Sequence, residues 1–351
     1  MSSAYPTSPL DPQRGTCVVT GGAGFVGAAA VRALLQRGRN VVVLDNLSSG
    51  RLERLPLAHE QLRFERFDVC DAQALAEHLG ALDVTQVLHL AGPVGVRRVL
   101  ADPELAAGQI GDLGKAMITA LASLPAGSRP RLFAASTSEV YDASDVAMGE
   151  DAPLRTPGGA ARWSYALAKQ TCEEHYDAAH LWEVDAGPVH LRLFNVVGPG
   201  QDADGGMVLP TFLQRALAGA SLPVHGDGRQ VRTYGHVLDV AEDIADMLGR
   251  EFFPAGPLNL GGTATASATE LAQLVSEEVC ALRGGKAALL EYVDPAATLT
   301  GFAEVRRRIP DLARAHDLGL ARRNRTLQAI VIDSLEAALR DRTLPCASPG
   351  S

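Results

Sequence analysis

The sequence predicts an α/β protein: a doubly wound parallel sheet with a smaller α/β lobe towards its C-terminal end. Three observations carry this prediction. Short apolar runs alternate with longer helical patterns, a glycine-rich turn separates the first such pair, and the regularity loosens after about residue 196. Strands that are apolar throughout belong to sheets covered on both faces, and strand–helix alternation makes the pairing parallel.

The elements follow in order. "TCVVT" (16–20) reads as a buried strand and "FVGAAAVRALLQRG" (25–38) as a helix that Gly38 ends. "NVVVLD", "RFERFDV", "QVLHLA", "RLFAAS" and "VHLRLFNVV" are the further strands. Between them lie the helical stretches "DAQALAEHLG", "PELAAGQIGDLGKAMITALAS" and "SYALAKQTCEEHYDAAHLW". Beyond them, glycine- and proline-rich loops ("GPGQDADGGMVLP", "PVHGDGRQ") separate shorter elements, with helical patterns at 268–284 and 323–340. The expected organisation is a Ser/Pro-rich disordered tail over 1–13 and a cofactor domain over 14–195 that the chain re-enters at about 230–262. A second lobe over 196–229 and 263–342 and a loose tail over 343–351 complete it. The cleft between the lobes is the natural ligand site.

Composition excludes several functions. A net charge of −9, with both signs interspersed, leaves no basic stripe for nucleic acid. No apolar run reaches the length of a membrane span, and the N-terminus lacks the basic and apolar regions of a signal peptide. The five cysteines (Cys17, Cys70, Cys172, Cys280 and Cys346) are odd in number and form no CxxC pair. They predict free thiols in a reducing cytoplasm, with neither a metal site nor a disulfide framework.

"VVTGGAGFVG" places Gly21, Gly24 and Gly27 between the first strand and the first helix. A tight turn needs glycine's freedom in φ, a pyrophosphate needs a missing side chain, and the helix N-terminus at Phe25 and Val26 offers N–H groups to phosphate. The second strand ends at Asp45, followed by Asn46, Ser49 and Gly50. A carboxylate there accepts from ribose hydroxyls and repels a 2′-phosphate, so NAD is expected rather than NADP, with Arg51 close by as the residue that argues otherwise. Asp68 and Val69 end the third strand, and Leu90, Ala91 and Gly92 end the fourth. All should meet the cofactor, because ligands of open α/β sheets gather at the carboxyl edge. This is a Rossmann-type arrangement.

The apolar run "RLFAA" leads into "STSEVY" (136–141), which concentrates hydroxyls, a carboxylate and a phenol at a strand end. In "WSYALAK", Tyr165 and Lys169 stand one helical turn apart and share a face. An ammonium beside a phenol favours phenolate, drawing down a pKa that is ordinarily about 10. Such a tyrosine can remove an alcohol proton while the carbon loses hydride to NAD.

Together these motifs resemble the extended short-chain dehydrogenase/reductases of the NAD-dependent epimerase/dehydratase family, which act on nucleotide sugars. The resemblance runs from about Gly15 into the 330s and includes "TGGAGFVG", "HLAG", "STSEVY", "YALAK", "RLFNVVGPGQ", "RQVRTYGHVLDVAEDI", "NLGG" and "VRRRIPDL". It implies that Thr137 holds the reacting hydroxyl, that Tyr165 is the base, and that Lys169 also holds the nicotinamide ribose. It implies Asn195 and Arg232 at the substrate diphosphate, with Arg308 a candidate for the same region and a solvated charge run as its plainer reading. Val94, Val208, Leu209 and His225 fall on the substrate side. A UDP-sugar substrate and a homodimer joined by a four-helix bundle, from 104–123 and 165–182, follow from the same resemblance. Gly111 stands where the family has an Asn that supports the lysine, Lys115 where it has Thr, Asp142 where it has Gly, and His225 where it has an aromatic residue.

Oxidation at sugar C4 opens three outcomes. Rotation and re-reduction give C4 epimerisation; loss of the C5 proton with water from C6 gives 4,6-dehydration; a C5 carboxylate leaves as CO₂. Thr137, Ser138 and Glu139 match the Thr-Ser-Glu of the lyases in this family, and "RWSYALAKQ" resembles its uronic-acid decarboxylases. A carboxylate near C5 suits a general base or proton shuttle. The expected activity is therefore a lyase step assisted by Glu139. The alternatives are a UDP-hexose or UDP-hexuronate 4-epimerase and, in another class, an NAD-binding protein without turnover.

Overall fold

The computed structural model describes residues 15–158, 163–182, 187–203, 205–294 and 305–340, the side chains of Val96 and Arg98 excepted. The two tails predicted at 1–13 and 343–351 lie outside the described residues.

Seven parallel strands form the main sheet in the order β10-β6-β5-β4-β1-β2-β3. They are β1 (Thr16–Thr20), β2 (Asn40–Asp45), β3 (Leu62–Arg66), β4 (Val84–His89), β5 (Arg131–Thr137), β6 (Val189–Phe194) and β10 (Gly256–Gly261). The chain runs outward from β1 to β3 and returns to β4 on the other side, so the switch point lies between β1 and β4, where α/β sheets bind ligands. Successive side chains of a strand face opposite ways, and the sequence fills both faces. Cys17, Val19, Val41, Val43, Leu88 and Phe133 enter one core with α1 (Phe25–Gln36) and α7 (Val237–Leu248). Val18, Val42, Leu44, Val87 and Leu132 enter the other, beneath α2 (Ala72–Ala81), α4 (Pro103–Ala122) and α5 (Ser164–Ala178).

A second sheet, β11-β9-β13 with β7 attached, comprises β7 (Val196–Val197), β9 (Val231–His236), β11 (Ala264–Ser267) and β13 (Arg307–Arg308). The pair β8 (Leu222–His225) and β12 (Leu290–Val293) lies apart from it. A third core joins this region to α6 (Val208–Leu217), α8 (Ala268–Arg283) and α10 (Leu327–Arg340). The short helices α3 (Val96–Ala101) and α9 (Ala313–Asp317) complete the set.

The structure departs from the sequence reading at several elements: "VHLRLFNVV", read as one strand, breaks at Asn195 into β6 of the main sheet and β7 of the second. The third strand stops at Arg66, because Asp68 folds an Asx turn that accepts from the Cys70 N–H (3.0 Å). The last helix begins at Leu327 rather than 323, since the Thr326 hydroxyl accepts from Ala329 N–H and caps it. "GPLNLG" (256–261), not among the predicted strands though inside the expected return at 230–262, is the edge strand β10, with its proline at the second position.

Candidate active site

The carboxyl edge of β1, β2 and β4 is pressed tight around the glycine-rich turn. Gly21 has φ +70°, and a Cβ there would stand 2.7 Å from the Ala91 nitrogen. A Cβ on Gly27 would stand 2.3 Å from the Gly21 carbonyl oxygen. Neither position admits a side chain, so the turn, the start of α1 and the end of β4 close into one bare backbone cradle. Gly24 caps α1 without a side-chain acceptor, which leaves the first-turn N–H groups of Phe25, Val26 and Gly27 to an external anion. The cradle fits a dinucleotide pyrophosphate.

Asp45 is buried at the end of β2, and its two oxygens accept from Ala23 N–H (3.0 Å) and Leu47 N–H (2.8 Å). Gly50 packs directly on this carboxylate. Asn46 and Ser49 are exposed in the loop that follows, and Asp68 is exposed beyond β3. The Val69 side chain belongs to the core, which leaves its backbone for a ligand. Behind the cradle, the Thr20 hydroxyl meets His89 Nδ1 at 2.7 Å. Burial, and then the charge of Lys169, push the His89 imidazole down to about 3, so it is neutral.

The chemical end gathers around the end of β5. Thr137 is its last residue, and its hydroxyl accepts from Glu139 N–H (3.2 Å) across a single 3₁₀ turn that buries Ser138. Glu139 meets Arg308 at 2.7 Å, with side chains 15% and 10% exposed. Arg308 also donates to Asn195 Oδ1 at 3.4 Å. Asn195 holds φ +33° between β6 and β7, where its Nδ2 donates to Thr233 O (3.0 Å). Strain of this kind persists where surrounding contacts over-determine it, and functional sites are where it collects. Arg308 in β13 is register partner to Arg232 in β9, so two of the predicted phosphate residues stand side by side. The Arg308 of the "RRR" run is therefore buried and engaged, not a solvated charge.

Tyr165 and Lys169 come from the first two turns of α5. The Lys169 ammonium is buried and donates to Ala135 O at 2.9 Å. A Cβ on Gly92 would make only ordinary contact with Nζ, at 3.6 Å. The expectation that Lys169 draws down the Tyr165 phenol is not met in this arrangement. Burial, and then the charge of Glu139, push the phenol up, and Arg308 is the cation that opposes them. Gly111 faces open space, so the Ala135 carbonyl, not a residue of α4, steadies the lysine.

Two braces escaped sequence reading because their partners are distant in the chain. Arg155 donates to the carbonyls of Glu139 (3.3 Å) and Tyr141 (2.9 Å), while its guanidinium lies 3.5 Å over the Trp163 ring. One side chain thus ties the turn of Glu139 to the entry of the helix that carries Tyr165. The second brace is buried: Arg192 forms a two-point bond to Glu173 (3.1 and 2.6 Å) and donates to the Tyr141 hydroxyl (3.0 Å). That hydroxyl donates to Asn259 Oδ1 at 2.6 Å. Tyr141 is accordingly a structural member of "STSEVY", its phenol pushed up to about 12 chiefly by burial.

The remaining predicted residues divide. Val94 is 60% exposed, and Val208 opens α6. Leu209 is 1% exposed inside the third core, so only its backbone could meet a ligand. His225 ends β8, half-buried, its imidazole lowered by burial and then by Arg97. Among the described residues no group of three or more His, Cys, Asp or Glu could hold a metal ion.

Known proteins share this framework. The chain is 30% identical over 317 residues to "UDP-glucuronic acid decarboxylase 1" of Arabidopsis thaliana, covering 86% of this chain and 64% of that protein. It thus spans less than two thirds of that relative's length. It is 30% identical over 311 residues to "UDP-N-acetyl-alpha-D-glucosaminuronate decarboxylase" of Bacillus cytotoxicus, covering 86% and 91% of the two chains. Among solved structures, the UDP-glucose 4-epimerase of Thermus thermophilus in complex with NAD matches with a TM-score of 0.74 at 27% identity, over 92% of this chain and 98% of that one. The family model described as "NAD dependent epimerase/dehydratase family" matches residues 17–261, which hold the glycine cradle, Asp45, Thr137, Tyr165 and Lys169. The chain belongs to the NAD-dependent epimerase/dehydratase family.

Proposed function

We propose that this protein oxidises a UDP-sugar at C4 and then releases CO₂ from a C5 carboxylate, as a UDP-glucuronate-type decarboxylase. The observation that carries this reading is the Arg308–Glu139 pair, 2.7 Å apart and close enough to Tyr165 to act on its phenol. A uronic-acid substrate brings a carboxylate that can take the place of Glu139 on the guanidinium, whose fork suits two-point carboxylate binding. The names of the plant and Bacillus relatives agree with this substrate class.

The glycine cradle and Asp45, at the ends of β1 and β2, would hold NAD, which would supply a reversible hydride acceptor for C4. The residues of this chain do the rest. Thr137 orients the C4 hydroxyl and Tyr165 removes its proton. Lys169 keeps one N–H on Ala135 O and has two left for the ribose and the phenol. Once C4 is a ketone, the C5–carboxylate bond breaks, CO₂ leaves, and its electron pair forms the C4–C5 enolate. Tyr165, now protonated, gives its proton to the enolate oxygen. Glu139, displaced from Arg308 by the substrate carboxylate, takes up a proton from solvent and passes it to C5. Asn195 and Arg232 hold the diphosphate, and residues 14–195 with the later return to the main sheet form the cofactor-binding part. We also read the protein as a cytoplasmic homodimer joined through α4 and α5, which light scattering of the purified protein tests.

The second reading is C4 epimerisation. It needs only Thr137, Tyr165 and Lys169, and the Thermus epimerase is a structural parallel for it. Incubation with UDP-glucuronate, UDP-glucose and TDP- or GDP-hexoses, followed by product mass, separates the possibilities. Loss of 44 Da (CO₂ by atomic masses, roughly) from UDP-glucuronate is the expected result. An unchanged mass with a changed sugar configuration would sink the decarboxylase reading.

A further inference from the structure

The loop after β7 reaches back to the loop after β2. Asp202 sits there between two guanidinium groups, one oxygen 2.6 Å from Arg51 and the other 2.7 Å from Arg54. Arg54 also donates to Gly200 O at 2.8 Å, so backbone as well as charge fixes the clasp. The position of Arg51 gives the clasp its significance. Its N–H donates to Ala23 O (3.0 Å) in the glycine-rich turn. Its neighbour Gly50 lies so close to Asp45 that a Cβ there would stand 2.8 Å from the carboxylate. The arginine stem therefore starts beside the carboxylate that ends β2. In dinucleotide folds this is where the adenosine 2′-position lies, and an arginine nearby is what accommodates a 2′-phosphate.

We propose that Asp202 is a cofactor-specificity residue: it engages Arg51 and Arg54 and so withholds from the 2′-position the cations that would neutralise a 2′-phosphate. Asp45 alone repels that phosphate. With Asp202 in place, the four groups Asp45, Asp202, Arg51 and Arg54 sum to zero charge, and a phosphate meets no surplus cation. Without Asp202 the sum becomes positive, and Arg51 is free to make charge-assisted bonds to phosphate oxygens. The Arg51 that argued for NADP in the sequence is thereby accounted for by a residue about 150 positions away. The inference rests on the reading of NAD as cofactor and on no particular sugar.

The test reads binding, not turnover. The protein is equilibrated with equal concentrations of NAD and NADP, freed of unbound nucleotide and denatured, and the released dinucleotides are quantified by mass. Asp202→Asn is expected to raise the bound NADP:NAD ratio about tenfold, the scale of one charge-assisted hydrogen bond. Adding Arg51→Gln and Arg54→Gln to that variant leaves only the Asp45 charge and should return the ratio to the wild-type value or below it. A ratio unmoved by Asp202→Asn overturns the proposal. So does a rise that persists without both arginines. A merely loosened loop weakens both dinucleotides alike and leaves the ratio unmoved, which counts against the proposal. Wild-type protein that holds neither dinucleotide overturns the NAD reading itself and the proposal with it.

Discussion

Replacing Arg192 by Met tests how the active-site helix is held to the sheet. Arg192 lies on β6 and Glu173 on α5, one turn beyond Lys169, and their side chains are 4% and 7% exposed. The substitution removes both bonds to Glu173, the bond to the Tyr141 hydroxyl and the bond to Glu150 O (3.1 Å). What dominates is the carboxylate left behind. An uncompensated buried charge costs about 3–5 kcal/mol, whereas an apolar replacement of a whole buried pair is often near neutral. At about 2.1 cal/mol/K of unfolding entropy per residue, a 351-residue chain shifts its midpoint by about 1.4 °C per kcal/mol, so a loss of about 4–7 °C is expected. The double variant Arg192→Met with Glu173→Leu should regain most of it. Thermal and urea unfolding followed by circular dichroism at pH 7.5 read both quantities. If Arg192→Met costs less than about 1 kcal/mol, or the double variant costs the sum of the two single ones, the pair does not brace the helix against the sheet.

Two other expectations follow from burial and close packing. Burial pushes Asp243 up to about 6, against the Ala321 N–H (3.1 Å) and Arg323 that favour its charge. The folded state then holds the extra proton between the unfolded carboxylate pKa and about 6, so this residue's contribution falls as pH rises through that window and stays unfavourable above it. Asp243→Asn keeps the acceptor for Ala321 and should raise the melting temperature at pH 7.5, with the gain vanishing near pH 4; destabilisation at pH 7.5 would contradict this. In α4, Gly111→Ala meets nothing within 4 Å and should stabilise by about 0.5–1 kcal/mol. Gly114→Ala would place a Cβ 2.8 Å from Cys172 Sγ and should destabilise by roughly 1–3 kcal/mol, as urea midpoints would report. Equal effects at the two glycines would refute the close approach of α4 to α5 at Gly114.

Much of the fold was legible because its determinants are local. The apolar runs at 16–20 and 40–45 fill both faces of a parallel sheet, and a period-two read-out of those faces needs no tertiary knowledge. β10 was not legible, because "GPLNLG" owes its strand to pairing with β6, not to propensity. In the candidate site, motif and spacing nominated Thr137, Tyr165 and Lys169, and the structure sets them at the end of β5 and in the first two turns of α5. The charge state around them was not legible. Arg308 pairs with Glu139, and the lysine keeps one of its bonds on the Ala135 carbonyl.

By itself the sequence determined the backbone cradle, the carboxylate at the end of β2 and the YxxxK face, since each is written within one turn or one strand end. Only the tertiary structure decided who neutralises whom: Arg308 on Glu139, Arg192 on Glu173, and Arg51 and Arg54 on Asp202. Electrostatic pairing falls off over a few ångströms of space and takes no account of separation along the chain, so partners up to 169 residues apart leave no local mark in the sequence.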